Sequence, residues 1–84
     1  MYFLYILKSL KDSGYYIGIT DKIEKRLKEH NSGKTKSIKS RIPFILIYTE
    51  AYLNKTEARK KEIILKTNYQ QRKKLLNSLG FNLK

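Results

Sequence analysis

The sequence has 84 residues and a formal net charge of +12, with 19 Lys and Arg against 7 Asp and Glu. This length fits a single domain, residues 1–84, with one small core, and 40% apolar residues are too many for a disordered basic tail. The charge excludes an average soluble enzyme of neutral metabolites, and the lack of cysteine excludes disulfides, thiolate metal sites and a cysteine nucleophile.

The composition also indicates a partner and a compartment. A basic surface attracts polyanions, so nucleic acid is the first candidate partner and an acidic membrane surface is the second. The single histidine cannot build a zinc site of the usual His or Cys type. No apolar run approaches the roughly 18 residues of a membrane span, so we expect a cytoplasmic protein.

The first two predicted elements form a β-hairpin. Residues 2–8 and Tyr15 to Thr20 are rich in aromatic and branched apolar side chains, with a loop of about six residues between them. Position 8 then pairs with position 15, which places Tyr5 opposite Gly18 and on the same face as Tyr16. Glycine inside a strand often marks a close approach by a ligand or backbone, although ordinary packing of hairpin aromatics explains each tyrosine alone.

The next predicted elements are a helix, a basic loop and a third strand. Asp21 and Glu24 have capping-box spacing, which predicts a helix that begins at Asp21 and closes at Gly33. Lys34 to Ile42 is a basic, polar loop, and Phe44 to Tyr48 or a little beyond is the third strand.

Two polar residues lie on or beside the inward face of this helix. Ile23, Leu27 and His30 have the i, i+4, i+7 spacing of a buried stripe. Arg26 lies beside the stripe, one turn before His30. Both residues have a structural explanation, in which the arginine extends along the surface and the histidine packs at the edge of the stripe.

Two further helices complete the predicted fold. Asn54 and Glu57 repeat the capping spacing and start a helix that runs to about Lys66. A third helix, Gln70 to Ser78, stops at Gly80. The order β-β-α-β-α-α predicts a small α/β or α+β sandwich, with three strands and helices on their faces.

The second of the three helices has a carboxylate on its apolar side. Ala58, Leu65 and Tyr69 share one side, and Glu62 falls between them in angle. A carboxylate at such a position is unfavourable unless it is paired or binds a cation. The structural alternative is a salt bridge from Glu62 to Arg26 or to a lysine.

Together these polar and aromatic residues suit phosphodiester cleavage; they are Tyr5, Tyr16, Arg26, His30 and Glu62. Mg²⁺ is usually bound by a carboxylate, with water and phosphate oxygens as its other ligands. The bound metal polarises the phosphate. A guanidinium matches the charge that develops on the phosphoryl group. A phenol or an imidazole positions or deprotonates the attacking water.

At these residues the sequence resembles the GIY-YIG nuclease superfamily. It is similar to the small stand-alone members, which resemble the amino-terminal nuclease domain of the bacterial nucleotide-excision-repair endonuclease. The stretches that carry the resemblance are Tyr2-Phe3-Leu4-Tyr5-Ile6-Leu7, Tyr16-Ile17-Gly18-Ile19-Thr20, Lys25-Arg26-Leu27-Lys28-Glu29-His30-Asn31-Ser32-Gly33, Arg41-Ile42-Pro43 and Glu57-Ala58-Arg59-Lys60-Lys61-Glu62.

The resemblance implies a three-stranded antiparallel sheet flanked by helices and hydrolysis of a DNA strand with one Mg²⁺ or Mn²⁺ ion, in DNA repair or processing. Tyr5 and Tyr16 match the tyrosines of the first and second motifs. Arg26 matches the family's arginine and Glu62 its metal-binding glutamate, while His30 lies where relatives carry His or Tyr. We favour Tyr5 as the base, helped by His30, with Tyr16 aligning water or phosphate.

The expected substrate contacts are basic residues outside these motifs. They are Lys34, Lys36, Lys39, Arg41, Arg72, Lys73 and Lys74. Such residues suit the DNA backbone better than base recognition, so we expect low sequence specificity or targeting by a protein partner. For any single lysine, a solvated surface is the structural alternative.

Two other functions stay open on the sequence alone. The lysine that some relatives carry after the second motif is Ile19 here. This departure leaves a catalytically weak or inactive nucleic-acid-binding module on the same fold as the alternative function. A basic RNA-associated protein is the third hypothesis, and its main support is charge.

Overall fold

The computed structural model describes residues 1–34 and 36–81. These residues contain one three-stranded antiparallel sheet, formed by β1 (Tyr2–Ser9), β2 (Tyr15–Thr20) and β3 (Phe44–Tyr52). The order across the sheet is β2-β1-β3, so β1 is the central strand. Its central place agrees with its apolar sequence, because both faces of β1 are covered.

The β1–β2 hairpin has the predicted register. Lys8 pairs with Tyr15, Leu7 with Tyr16, and Tyr5 with Gly18. Because side chains alternate along a strand, this register places the side chains of Tyr5 and Tyr16 on the same face of the sheet.

The third strand is longer than predicted. β3 continues four residues past Tyr48 to Tyr52, and these last residues pair with the beginning of β1. A register shift lies between Ile6 and Leu7 of β1, which pair with Tyr48 and Leu46 respectively, so β3 has an extra residue there. The open edge of β1 offers hydrogen bonds along its whole length, and the third strand therefore extends until they are used.

The helices follow the predicted order, β-β-α-β-α-α. They are α1 (Ile23–Asn31), α2 (Lys55–Thr67) and α3 (Tyr69–Ser78). The predicted cap of α2 is confirmed, since the side chain of Asn54 accepts a hydrogen bond from the backbone N–H of Glu57 at 3.0 Å.

The predicted start of α1 is wrong. Its N-cap is Lys22, which makes no side-chain cap hydrogen bond, and Asp21 precedes the helix. Thr20, at the end of β2, accepts the backbone N–H of Lys22 through Oγ1 at 3.0 Å instead. The side chain of Thr20 therefore provides the hydrogen bond that stabilises the turn between β2 and α1, and the helix begins at Ile23.

The predicted basic loop contains a short helix. Residues Lys36–Arg41 form a 3₁₀ helix, while Thr35 lies outside the described residues. Ile38 is buried against the sheet. The Arg41 guanidinium donates to Asp12 in the hairpin turn at 2.7 Å, so burial and this ion pair order the segment.

The core has a part on each face of the sheet. The buried residues on one face, covered by α2 and α3, are Leu4, Ile6, Ile17, Leu65 and Leu76. Those on the other face, covered by α1 and the 3₁₀ helix, are Tyr5, Leu7, Ile38 and Phe44.

Tyr69 was expected on the buried side of α2, but α2 ends at Thr67, and Tyr69 begins α3 with 46% of its surface exposed. Among residues 1–34 and 36–81, no helix has the length and apolar character that crossing a membrane requires.

Candidate active site

Four of the five predicted catalytic side chains line one cavity. The cavity has a volume of about 310 Å³ and lies where β1 and β2 meet α1 and α2. It is lined by Tyr2, Tyr5, Tyr16, Gly18, Ile19, Thr20, Asp21, Arg26, Lys55, Arg59 and Glu62. Residues from distant parts of the sequence, Tyr5 and Glu62 among them, therefore converge on one site.

Gly18 makes room for the ring of Tyr5. A Cβ atom at position 18 would lie 2.5 Å from the Tyr5 hydroxyl oxygen and 2.7 Å from Cζ. Tyr5 is only 4% exposed, so its ring has little space to move aside. The hairpin register and the missing side chain at position 18 together fix the position of the phenol.

His30 lies behind Tyr5 and does not line the cavity. The hydroxyl oxygen of Tyr5 and Nε2 of His30 are 3.0 Å apart, and His30 is 1% exposed. The imidazole also packs edge-on against the ring of Tyr16, with 5.0 Å between ring centroids. His30 therefore contacts the tyrosines of the cavity and is separated from the cavity by them.

The surroundings of His30 indicate which nitrogen carries its hydrogen. Burial, with the charge of Arg26, lowers the pKa of His30 below its ordinary value, so the imidazole is neutral near pH 7. Nδ1 is buried and has no hydrogen-bond partner among the described residues. An unpaired N–H is the rarer and less favourable case in a protein interior. The tautomer that avoids an unpaired N–H carries the hydrogen on Nε2 and donates it to the oxygen of Tyr5.

This hydrogen bond supports ionisation of Tyr5, while the burial of the phenol opposes it. Burial raises the pKa of Tyr5 above that of free tyrosine, and Tyr16 and the Glu62 carboxylate raise it further, whereas Arg26 lowers it. A hydrogen bond donated by His30 would favour the phenolate, because a donor stabilises the charged form. Tyr5 is therefore a phenol in the free protein and needs additional positive charge to act as a base.

Glu62 lies on the buried side of α2, as predicted. Ala58, one turn before it, is fully buried, and Glu62 itself is 9% exposed. Its Oε2 accepts a hydrogen bond from Nζ of Lys66 at 3.1 Å, one turn later. The ion pair considered from the sequence therefore forms with Lys66. Half of the Lys66 side chain is exposed, so the pair is weakened by solvent.

The cavity suits a metal ion that keeps most of its water ligands. In the part of the chain that the structure describes, no three His, Cys, Asp or Glu residues come together as a metal cluster. A cation at Glu62 would thus take its other ligands from water and from the substrate. Mg²⁺ is commonly bound by one or two carboxylates in this way, so the donor set fits the predicted single ion.

Three cationic side chains line the cavity together with this carboxylate. Arg26 projects from α1 and is exposed, so its guanidinium is accessible to a ligand. Lys55 and Arg59, which the sequence patterns do not single out, lie seven and three residues before Glu62 on α2. Residues at these spacings share a helix face, and that spacing from Glu62 is the signal that would have identified them.

Some of the predicted phosphate contacts already have hydrogen-bond partners within the protein, and others are exposed to solvent. Arg41 donates to Asp12, and the Arg72 guanidinium donates to the carbonyls of Leu65 and Lys66 at the end of α2, at 3.2 and 3.3 Å. Both arginines therefore have structural partners. Lys73 is partly buried, and the exposed members are Lys34, Lys36, Lys39 and Lys74. None of the seven lines the candidate active site, so their contact with a substrate stays a prediction.

The stability of the protein should depend on the protonation of His30. Its pKa is lowered in the folded state by burial and by Arg26, although Glu29 opposes the shift. The unfolded chain therefore binds this proton at a higher pH, and the free energy of unfolding should fall as the pH drops below about 6.5. We expect urea titrations to show a smaller loss of stability below this pH for His30→Gln than for the wild type. The same pH dependence in both proteins would contradict the assignment to His30.

Comparisons of the sequence and of the fold with known proteins identify the family of this chain. The sequence model of the GIY-YIG catalytic domain matches residues 1–76. A UPF0213 protein of Staphylococcus haemolyticus is 40% identical over 73 residues, which are 86% of this chain and 88% of that protein. The UPF0213 protein YazA of Bacillus subtilis is 39% identical over 75 residues, 88% of this chain and 75% of YazA.

A solved structure shows the same fold. The solution NMR structure of a UPF0213 protein from Bacillus halodurans matches with a TM-score of 0.56 and 38% identity, over 94% of this chain and 85% of that one. These matches confirm the resemblance seen in the motifs. The chain therefore belongs to the GIY-YIG family and, within it, to the UPF0213 proteins.

Proposed function

We propose that the protein is a divalent-metal-dependent endonuclease that hydrolyses DNA phosphodiester bonds with low sequence specificity, in DNA repair or processing. Its domain is of the GIY-YIG nuclease type. The observation that carries the proposal is the convergence of two phenols, a guanidinium and a nearly buried carboxylate on one cavity; these residues are Tyr5, Tyr16, Arg26 and Glu62.

Each side chain has a role that its position supports. Glu62 holds the metal ion, and Arg26 stabilises the charge that develops on the phosphoryl group. Tyr5 first loses its own proton to solvent and is then a phenolate that accepts a hydrogen bond from His30. This phenolate takes a proton from the attacking water and becomes a phenol again. Tyr16 aligns the water or the phosphate from the same face of the sheet.

The metal supplies what the protein groups lack. When bound by Glu62, Mg²⁺ or Mn²⁺ polarises the phosphate, stabilises the leaving oxygen and offsets the negative charge beside Tyr5. Low sequence specificity follows from the cations around the cavity, Arg26, Lys55 and Arg59, because such groups recognise the backbone and carry no base information.

The test is nicking of supercoiled plasmid DNA by the purified protein. We expect conversion to the open circle with Mg²⁺ or Mn²⁺ and no conversion in EDTA. Arg26→Ala, purified in the same way, should nick at most about one hundredth as fast, as for the loss of one transition-state donor. Equal nicking by both proteins would indicate a contaminating nuclease and would contradict the proposal.

One observation favours the alternative of a binding module with weak or no catalysis. The ammonium of Lys66 already contacts the Glu62 carboxylate at 3.1 Å and would compete with a metal ion for it. This alternative predicts DNA binding with no metal-dependent nicking, and binding that is unchanged when Glu62 is replaced by alanine.

A further inference from the structure

The candidate active site continues into a second cavity along α2. This neighbouring cavity has a volume of about 400 Å³ and is lined by Lys55, Thr56, Arg59, Lys60 and Ile63. It shares Lys55 and Arg59 with the active-site cavity. The same two cations therefore border both cavities.

The active site also continues in the other direction, along α1. A cavity of about 250 Å³ shares Thr20, Asp21 and Arg26 with it and extends to Lys22 and Lys25. A further cavity of about 450 Å³ shares Lys25 and Glu29 with that one and is also lined by Lys28 and Lys34. The four adjoining cavities form a groove, here called the α1–α2 groove, with the active site between its two arms.

Basic side chains outnumber acidic ones along both arms of this groove. On the α2 arm they are Lys55, Arg59 and Lys60. On the α1 arm they are Lys22, Lys25, Arg26, Lys28 and Lys34, against Asp21, Glu24 and Glu29. All of these basic residues are exposed. They contrast with Arg41 and Arg72, whose guanidinium groups have hydrogen-bond partners within the protein.

We propose that a DNA strand lies along the α1–α2 groove, with the phosphate to be cleaved in the active-site cavity and flanking phosphates bound by both arms. This inference rests on the proposed function and adds the path of the substrate. The fold extends 31 Å along its longest principal axis. At roughly 3.4 Å per phosphate along one strand, the groove can contact at most about nine phosphates. The path assigns no phosphate contact to the Arg72-Lys73-Lys74 run of α3.

The experiment measures binding where no cleavage occurs. Fluorescence anisotropy of a fluorescein-labelled DNA duplex would be recorded in EDTA over a series of salt concentrations. The variants are Lys25→Gln with Lys28→Gln for the α1 arm, and Lys55→Gln with Lys60→Gln for the α2 arm. The matched control is Lys73→Gln with Lys74→Gln, which removes the same charge from α3. Thermal melts check that each variant is folded.

Each groove variant should lower the slope of log affinity against log salt by about two and weaken binding at least tenfold at about 0.1 M salt. The α3 control should keep the slope of the wild type. Equal losses in all three variants would mean diffuse attraction and would overturn the path, as would a larger loss in the α3 control. Tighter binding of an RNA of the same sequence at matched salt would overturn DNA as the occupant.

The two proposals fail in different ways. If the groove variants lose slope as expected but the wild type never nicks plasmid with Mg²⁺ or Mn²⁺, the path stands and the nuclease activity is wrong. If metal-dependent nicking is present but the groove variants bind and nick like the wild type, the activity stands and the path is wrong.

Discussion

Replacing Glu62 with glutamine is expected to slow Mg²⁺-dependent plasmid nicking by roughly a thousandfold or more. In the proposed mechanism the carboxylate of Glu62 holds the metal, and glutamine keeps its size without its charge. The fold should persist, because the substitution removes only the pair with Lys66, whose side chain is half exposed. Such a pair contributes less than about 1 kcal/mol to the free energy of unfolding.

The matched control for this substitution is Glu57→Gln. Glu57 lies on the same helix, pairs at 3.4 Å with exposed Lys60, and is not part of the cavity. Both variants change the net charge equally, so only loss of the metal ligand separates them. Titration calorimetry with Mn²⁺ should detect one ion bound to the wild type and to Glu57→Gln, and none to Glu62→Gln. Nicking by Glu62→Gln at the rate of the wild type would refute the metal-site assignment.

The hairpin part of the site follows from the sequence alone. Loop length sets the register of two antiparallel strands, and alternation then places Tyr5 and Tyr16 on one face with Gly18 opposite the first. The inward position of Glu62 follows from helical spacing relative to Ala58. These are local rules, and the structure follows them because no tertiary contact opposes them.

The convergence of the two helices on the hairpin does not follow from spacing. Helical periodicity tells which side of α1 or α2 is buried but gives no position of one helix relative to the other. That position is set by packing, with Leu65 of α2 in the core on one face of the sheet and Leu27 of α1 packed on the other. From the residues alone, the meeting of Arg26 and Glu62 was therefore a hypothesis, and the family resemblance supplied the rest.

Charge patterns were the least informative part of the sequence. Arg41 and Arg72 look like solvated cations, but their partners, Asp12 and the carbonyls that end α2, are not evident from neighbouring residues. Lys55 and Arg59, by contrast, look like an ordinary exposed helix face and yet line the cavity. A charged side chain acquires a role only through what the fold brings near it, and a linear charge run does not contain that information.

Gly18→Ala is expected to reduce nicking by about a hundredfold and to destabilise the fold by about 1–3 kcal/mol. The added methyl would lie 2.5 Å from the Tyr5 hydroxyl oxygen. The phenol must then shift from the position in which its oxygen lies 3.0 Å from Nε2 of His30 and its ring lies beside that of Tyr16. Strand preference alone predicts the opposite sign, since alanine inside a strand is favoured over glycine by roughly 0.5–1 kcal/mol.

A double-mutant cycle with Tyr5→Leu isolates this contact, because leucine lacks the Cζ and hydroxyl atoms that the methyl would meet. In the Tyr5→Leu background, Gly18→Ala should be neutral or slightly stabilising, and the coupling energy from urea titrations should be about 1–3 kcal/mol. An equal loss of stability in both backgrounds would place the effect in the backbone of β2. It would also contradict the inference that Gly18 is needed to keep the phenol of Tyr5 in contact with His30.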